Sequence, residues 1–194
     1  MFRLVAGVDE AGRGPLAGPI VAAAVILSPE IEIKGLADSK LLSPRRREEL
    51  FLEIQARAIG VGIGKVNHKL IDKINIGKAN LLAMKLAVEN LSVAPDYLLI
   101  DGRRMALDLD IPSQSIIGGD GKYASIAAAS IIAKVTRDWL MLRYHRKYPD
   151  YRFDLHKGYG TEFHRGKIVE IGPCPIHRRS FRFSRPGAKK VAQT

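Results

Sequence analysis

Residues 7–19 of the sequence read Gly-Val-Asp-Glu-Ala-Gly-Arg-Gly-Pro-Leu-Ala-Gly-Pro. This stretch joins two apolar segments, residues 3–8 and residues 20–27, which are rich in valine, isoleucine and alanine. Two such segments joined by a glycine-rich connection predict the strands of a hairpin. The chain therefore opens with paired strands, and the acidic residues Asp9 and Glu10 stand where the first strand is expected to end.

Helical and extended segments alternate along the rest of the chain. Periodicity and capping residues predict helices at 43–58, 67–91 with a break at 75–77, 123–146 and 161–172, and strands at 59–66, 97–100 and 113–117. Antiparallel strands followed by strands that alternate with helices predict an α/β fold with a mixed sheet flanked by helices. A length of 194 residues fits one domain, or one domain with a small appendage.

The charge of the chain indicates a polyanionic partner. Lysine and arginine number 31 against 20 acidic residues, for a net charge of +11. No acid follows Glu170, and the tail beyond it interleaves two aromatic residues, Phe181 and Phe183, with basic ones. These basic residues are Arg178, Arg179, Arg182, Arg185, Lys189 and Lys190. The pattern favours nucleic-acid contact, with a merely solvated tail as the alternative.

Composition also excludes several classes of protein. The single cysteine, Cys174, excludes an intramolecular disulfide framework and favours a reducing compartment. No apolar run is long enough to cross a membrane, and residues 1–3 lack the layout of a signal peptide. We therefore expect a cytoplasmic protein with no membrane partner, and a monomer, since no heptad pattern stands out.

Acidic residues lie at the ends of three predicted strands. Asp9 and Glu10 end the first, Asp101 follows residues 97–100, and Asp120 follows residues 113–117. If the strands are neighbours, four carboxylates meet, and their mutual repulsion favours bound cations. Oxygen ligands without cysteine or histidine favour Mg²⁺ or Mn²⁺ over Zn²⁺, and two such ions about 4 Å apart assist phosphodiester hydrolysis. For any one of these aspartates alone, a turn cap is the alternative.

Two glycine-containing stretches are candidates for substrate contact. The first stretch, residues 12–17, formally matches a dinucleotide-binding pattern. That pattern needs a following helix, whereas strand-forming residues follow Pro19. The bare backbone of Gly12 and Gly14 can approach a ligand closely, with Arg13 between them; a tight hairpin is the alternative. In the second stretch glycines flank Tyr159, whose ring either stacks on a sugar or base or packs within the protein.

Taken together, these residues resemble the type 2 ribonucleases H, in particular the bacterial ribonuclease HII family. The resemblance extends from Gly7 to Phe183. Its strongest stretches are residues 7–19, 101–102, 125–134 with Asp120 ahead of them, and 156–161.

The resemblance implies an endonuclease that hydrolyses the RNA strand of RNA–DNA hybrids, including single ribonucleotides embedded in duplex DNA, as in ribonucleotide excision repair. The implied products carry 5′-phosphate and 3′-hydroxyl ends, and the implied cofactors are Mn²⁺ or Mg²⁺, two ions per active site. The implied fold is a ribonuclease H-like mixed five-stranded sheet flanked by helices, which we assign to residues 1–150. A small C-terminal helical extension with the basic tail is assigned to residues 151–194.

The resemblance also assigns roles to individual residues. The metal-binding and catalytic carboxylates would be Asp9, Glu10, Asp101 and Asp120. The loop that reads the ribose 2′-hydroxyl at the RNA–DNA junction would be Gly12, Arg13 and Gly14. Tyr159 corresponds to the tyrosine that packs on the sugar next to the scissile phosphate.

Lys40 matches a family lysine expected to bind substrate phosphate. Leu41 stands where the family generally has a second lysine, and Gly118 stands where a lysine generally precedes Gly119. Both departures leave the carboxylates intact and put one or two phosphate contacts in doubt.

Three other functions compete with this interpretation. A metal-free ribonuclease would use His156, His164 or His177 as acid and base and leave a cyclic phosphate. A binding module would use only the basic tail and Tyr159. A DNA resolvase or transposase nuclease would use the same acids but ignore the ribose, which the loop at residues 12–14 argues against.

Overall fold

The computed structural model describes residues 4–36, 42–103 and 105–184, and within these ranges five strands form one sheet. The strands are β1 (Val5–Ala11), β2 (Ile20–Ile26), β3 (Gly60–Val66), β4 (Tyr97–Asp101) and β5 (Ser113–Ile116). Their order across the sheet is β3-β2-β1-β4-β5. β1 pairs antiparallel with β2, as the hairpin prediction requires, and parallel with β4. The predicted mixed sheet is confirmed.

The helices begin where the sequence provides capping side chains. They are α1 (Pro44–Arg57), α2 (His68–Glu89), α3 (Ala124–Lys147), α4 (Phe153–His156) and α5 (Glu162–Ile171). Ser43, Asn67 and Thr161 accept hydrogen bonds from backbone N–H groups in the first turns of α1, α2 and α5. The predicted break in α2 is present at Asn75, whose φ is 67°. The short α4 was not predicted, because four residues are too few to show a helical period.

Both faces of the sheet are covered by helices. α2 packs on one face against alternate residues of β1 and β2, while α1 and α3 pack on the other. Small residues let the helices approach closely: a Cβ on Gly64 would lie 1.9 Å from the carbonyl oxygen of Ala83 in α2. The central strands are therefore buried on both sides, and a charged side chain on β1 can reach solvent only near a strand end.

The C-terminal segment packs against the connection between β1 and β2. A separate apolar cluster joins Ala17 and Met141 to residues from the end of the chain, namely Tyr151, Phe153, Cys174 and Ile176. A single β-bridge also links Ala17 to His177. The division of the chain at residue 150 stays a prediction. Among the described helices, none has both the length and the apolar character needed to span a membrane.

Candidate active site

A cleft of about 270 Å³ opens where β1 and β4 end. Its lining includes three of the four predicted carboxylates, Asp9, Glu10 and Asp101. The predicted substrate-contacting residues Gly12, Arg13, Gly14 and Tyr159 line it too, together with Ser130 and Lys134 of α3. The structure thus brings together residues that lie up to 150 positions apart in the sequence.

The parallel pairing of β1 and β4 explains why the carboxylates are neighbours. Val8 is in register with Ile100, so the next residues along the two strands, Asp9 and Asp101, stand side by side. Asp9 and Glu10 lie within β1, and Asp101 is the last residue of β4, which corrects the expectation that the acids follow the strands. Asp9 is only 6 % exposed, so its carboxylate is a buried charge at the edge of the core.

The buried carboxylates are electrostatically frustrated. Burial, and then the negative charges of Glu10 and Asp101, raise the pKa of Asp9 well above its usual value. Burial also raises the pKa of Glu10, although Arg13 opposes the shift through an ion pair of 3.4 Å. The Oε2 atom of Glu10 is buried and has no hydrogen-bond partner. An unpaired carboxylate oxygen on Glu10, beside two carboxylates that repel it, fits a divalent cation.

Asp120 does not line this cleft. It lies in a 3-10 turn, Gly119–Gly121, and lines a neighbouring pocket of about 890 Å³ between residues 27–36 and the start of α3. The turn is nevertheless tied to the site, since the N–H of Gly119 donates to Oδ1 of Asp101 at 2.7 Å. Within the described ranges, no three acidic, histidine or cysteine side chains converge in an arrangement that could hold a metal ion. The metal-binding roles of Asp9, Glu10, Asp101 and Asp120 therefore all stay predictions.

The connection of residues 12–19, called here the glycine loop, is held by backbone contacts and by two buried arginines. The N–H of Leu16 donates to Gly158, and the carbonyl of Leu16 accepts from Arg178. The guanidinium groups of Arg137 and Arg178 donate to further loop carbonyls. Arg178 was expected in a phosphate-binding tail. It is instead 3 % exposed and turned inward, with its guanidinium 4.9 Å from the centre of the Phe181 ring.

Tyr159 presents an accessible ring to the cleft. The side chain is 44 % exposed, and the guanidinium of Arg137 lies 5.7 Å from the ring centre. The carbonyl of Tyr159 accepts hydrogen bonds from Nδ1 of His164 and from the N–H of Thr161, both at 2.8 Å. An exposed ring on a fixed backbone suits stacking on a sugar.

The histidines of the alternative mechanism do not line the cleft. Nε2 of His164 and Nε2 of His177 lie 3.0 Å apart in a buried cluster, and the His156 ring stacks on His164 at 4.3 Å. Burial lowers the pKa of both His164 and His177 to about 4, so they are neutral at pH 7. His164 and His177 therefore serve packing rather than proton transfer to a substrate.

Two cleft residues were missed by sequence reasoning. Ser130 and Lys134 are four positions apart on α3, a spacing that places both on one helical face. Burial lowers the pKa of Lys134, which forms an ion pair with Asp138 at 2.7 Å.

Lys40 is the predicted phosphate contact, and Leu41 and Gly118 are the two departures from the family pattern. Lys40 and Leu41 lie outside the described residues. Gly118 adopts a left-handed backbone conformation, with a φ of 62°. That conformation favours the glycine found there over a lysine.

Comparison with known proteins gives consistent matches. The family model described as Ribonuclease HII matches residues 6–184. A ribonuclease HII of Geobacter metallireducens is 55% identical over 181 residues, covering 93% of this chain and 84% of that protein. The crystal structure of ribonuclease H2 from Pyrococcus horikoshii has a TM-score of 0.77 at 29% identity, covering 92% of this chain and 93% of the other. A PCNA:RNase HII complex from Archaeoglobus fulgidus gives a TM-score of 0.78 at 26% identity, with 94% and 96% covered.

Proposed function

This chain belongs to the ribonuclease HII family, and on that premise we propose that it cuts at single ribonucleotides embedded in duplex DNA as well as within longer hybrids. The family hydrolyses the RNA of RNA–DNA hybrids with divalent metal ions, so the chain is a metal-dependent nuclease. The proposal includes a monomer acting in the cytoplasm, with residues 1–150 as its catalytic domain and residues 151–194 as its C-terminal extension.

One observation carries the proposal: buried carboxylates and the glycine loop line the same cleft. Asp9, Glu10 and Asp101 would hold two divalent ions, Mn²⁺ or Mg²⁺, with Asp120 reaching the site from its adjoining turn. Bound there, the ions supply electrostatic stabilisation of the attacking and leaving oxygens of a phosphodiester. The products of such a displacement carry 5′-phosphate and 3′-hydroxyl ends.

The chain's own residues would orient the substrate. Gly12 and Gly14 carry no side chain, so the loop backbone between them can approach a sugar and bond its 2′-hydroxyl. A polar group left unpaired over a deoxyribose costs roughly 1–3 kcal/mol, which is enough to discriminate RNA from DNA. The exposed ring of Tyr159 would pack on the adjacent sugar, and the net charge of +11 would attract the duplex.

The proposal is tested with an end-labelled DNA duplex that contains one ribonucleotide, incubated with Mg²⁺, Mn²⁺ or EDTA. We expect a metal-dependent cut on the 5′ side of the ribonucleotide, leaving 3′-hydroxyl and 5′-phosphate ends, and no cut in the matched all-DNA duplex. Cleavage of a long hybrid without cleavage of this duplex would refute the ribonucleotide assignment. A cyclic phosphate formed in EDTA would instead support a histidine mechanism.

A further inference from the structure

We propose that Arg178 and Arg137 are positioning residues that fix the peptide groups of the glycine loop, so that two backbone N–H groups face the cleft as donors to a substrate oxygen. The inference rests on the proposed reading of the 2′-hydroxyl. It names the N–H groups of Arg13 and Gly14 as the donors that recognise the 2′-hydroxyl, and Arg137 and Arg178 as the buried cations that orient the loop.

Arg178 binds the loop at three points. Its Nε donates to the carbonyl of Gly18 at 3.0 Å, Nη1 donates to Arg13 at 2.9 Å and Nη2 donates to Gly12 at 2.6 Å. The planar guanidinium has its donors in a fixed fork, so one side chain sets the orientation of several carbonyls at once.

Arg137 holds the other arm of the loop. It is 1 % exposed, and it donates from Nε to Pro19 at 3.0 Å and from Nη2 to Ala17 at 3.2 Å. In the ranges that the structure describes, neither Arg137 nor Arg178 forms a salt bridge with a carboxylate. Loop carbonyls are thus the hydrogen-bond acceptors of both buried guanidinium groups.

Because peptide groups are planar, fixing the loop carbonyls also fixes the direction of the N–H groups that follow them. In a trans peptide the C=O and the following N–H point in opposite directions. The carbonyls of Gly12 and Arg13 face Arg178, so the N–H groups of Arg13 and Gly14 point away from it. Neither N–H has a hydrogen-bond partner among the described residues, and both residues line the cleft. Charge-assisted bonds to the carbonyls also polarise these peptides and strengthen the N–H groups as donors.

The arrangement is costly for a merely structural turn. Burial, and then the positive charge of Arg137, lower the pKa of Arg178 to about 9, and the charge of Asp72 offsets this only in part. Two neighbouring cations are thus held out of water with no direct salt bridge among the described residues. A hairpin needs no such groups. Two aligned N–H donors backed by positive charge are instead suited to an oxygen acceptor such as a ribose 2′-hydroxyl.

The test is Arg178→Lys, which keeps the charge and replaces the three-point fork by one ammonium. The measured quantity is discrimination in EDTA: the Kd of an all-DNA duplex divided by the Kd of the same duplex with one ribonucleotide. We expect the wild-type ratio to be about fivefold or more and the variant ratio to fall close to one. We also expect the all-DNA Kd to stay within about twofold, because the phosphate attraction is retained. Arg143→Lys, an exposed arginine on α3, is the matched control and should keep the wild-type ratio.

The outcomes separate this inference from the proposed function. If the wild-type protein binds the two duplexes equally well, the proposed recognition of the 2′-hydroxyl is refuted, and the positioning role of the arginines is refuted as well. A discriminating wild type with an equally discriminating, folded Arg178→Lys overturns the positioning role alone, even if the variant melts earlier. Should Arg178→Lys not fold by circular dichroism, Arg137→Lys decides by the same ratio, since it loses two of the five arginine bonds to the loop.

Discussion

Asp9→Asn is expected to lower the single-turnover rate of hybrid cleavage by about a thousandfold or more, while the Kd of the hybrid stays within about twofold. Metal stabilisation of the reacting oxygens is worth several kcal/mol, and each 1.36 kcal/mol is a factor of ten in rate, so losing a ligand carboxylate has a large effect. Asparagine keeps an oxygen that can accept the N–H of Glu10, now bonded to Asp9 Oδ1 at 2.7 Å. The local backbone is therefore preserved.

A stability measurement separates this loss of activity from unfolding. Because burial and neighbouring carboxylates raise the pKa of Asp9, its charge opposes folding at neutral pH, and neutral asparagine removes that cost. The variant should melt above the wild type in EDTA, by about 2–4 °C for each kcal/mol gained. Asp110→Asn makes the same change at an exposed loop position and should alter neither property. Full cleavage by Asp9→Asn would refute the metal assignment.

Gly12→Ala is expected to abolish the recognition of the ribose 2′-hydroxyl by the glycine loop and to destabilise the protein. A Cβ at this position would lie 2.1 Å from Nε and 2.5 Å from Cδ of Arg137, and the φ of Gly12 is +101°. The backbone conformation costs roughly 1–3 kcal/mol and the overlap a similar amount. Thermal unfolding should report the loss of stability. Cleavage at a single ribonucleotide, measured well below the melting temperature, should fall by about tenfold or more.

Gly14→Ala is the matched control on the same loop. A Cβ there meets only Cε1 of Tyr159, at an ordinary contact distance of 3.8 Å. It should change the melting temperature little, and the difference between the two variants isolates the packing of Gly12 on Arg137. An equal fall in melting temperature for the two variants would contradict the close packing of Gly12 on Arg137.

Much of the fold could be predicted because its signals are local. The β1–β2 hairpin, the cap at Asn67 and the break at Asn75 each follow from a few adjacent residues. Asp9 and Asp101 lie side by side because β1 and β4 are neighbours in the sheet. The residues alone did not predict this strand order, and the family resemblance implied only the fold as a whole.

The parts that could not be predicted depend on contacts between distant residues. Arg178 lies 166 positions from Gly12, and nothing in a basic, aromatic-rich tail indicates that this one arginine turns inward. Asp9, Glu10 and Asp101 lie within β1 and β4, whereas Asp120 comes after the end of β5, in a 3-10 turn that places it in the adjoining pocket. The sequence states which residues are charged, whereas tertiary packing decides which way each charged side chain points.

Anomalous diffraction from crystals soaked in Mn²⁺ will show whether the carboxylates of the cleft hold the divalent ions of the reaction. We expect two Mn²⁺ peaks about 4 Å apart, between Asp9 and Asp101 and within coordinating distance of their oxygens. Asp9→Asn crystals should lose at least one peak. Mn²⁺ bound only away from this cleft, with no contact to Asp9 or Asp101, would refute the assignment of these carboxylates as metal ligands.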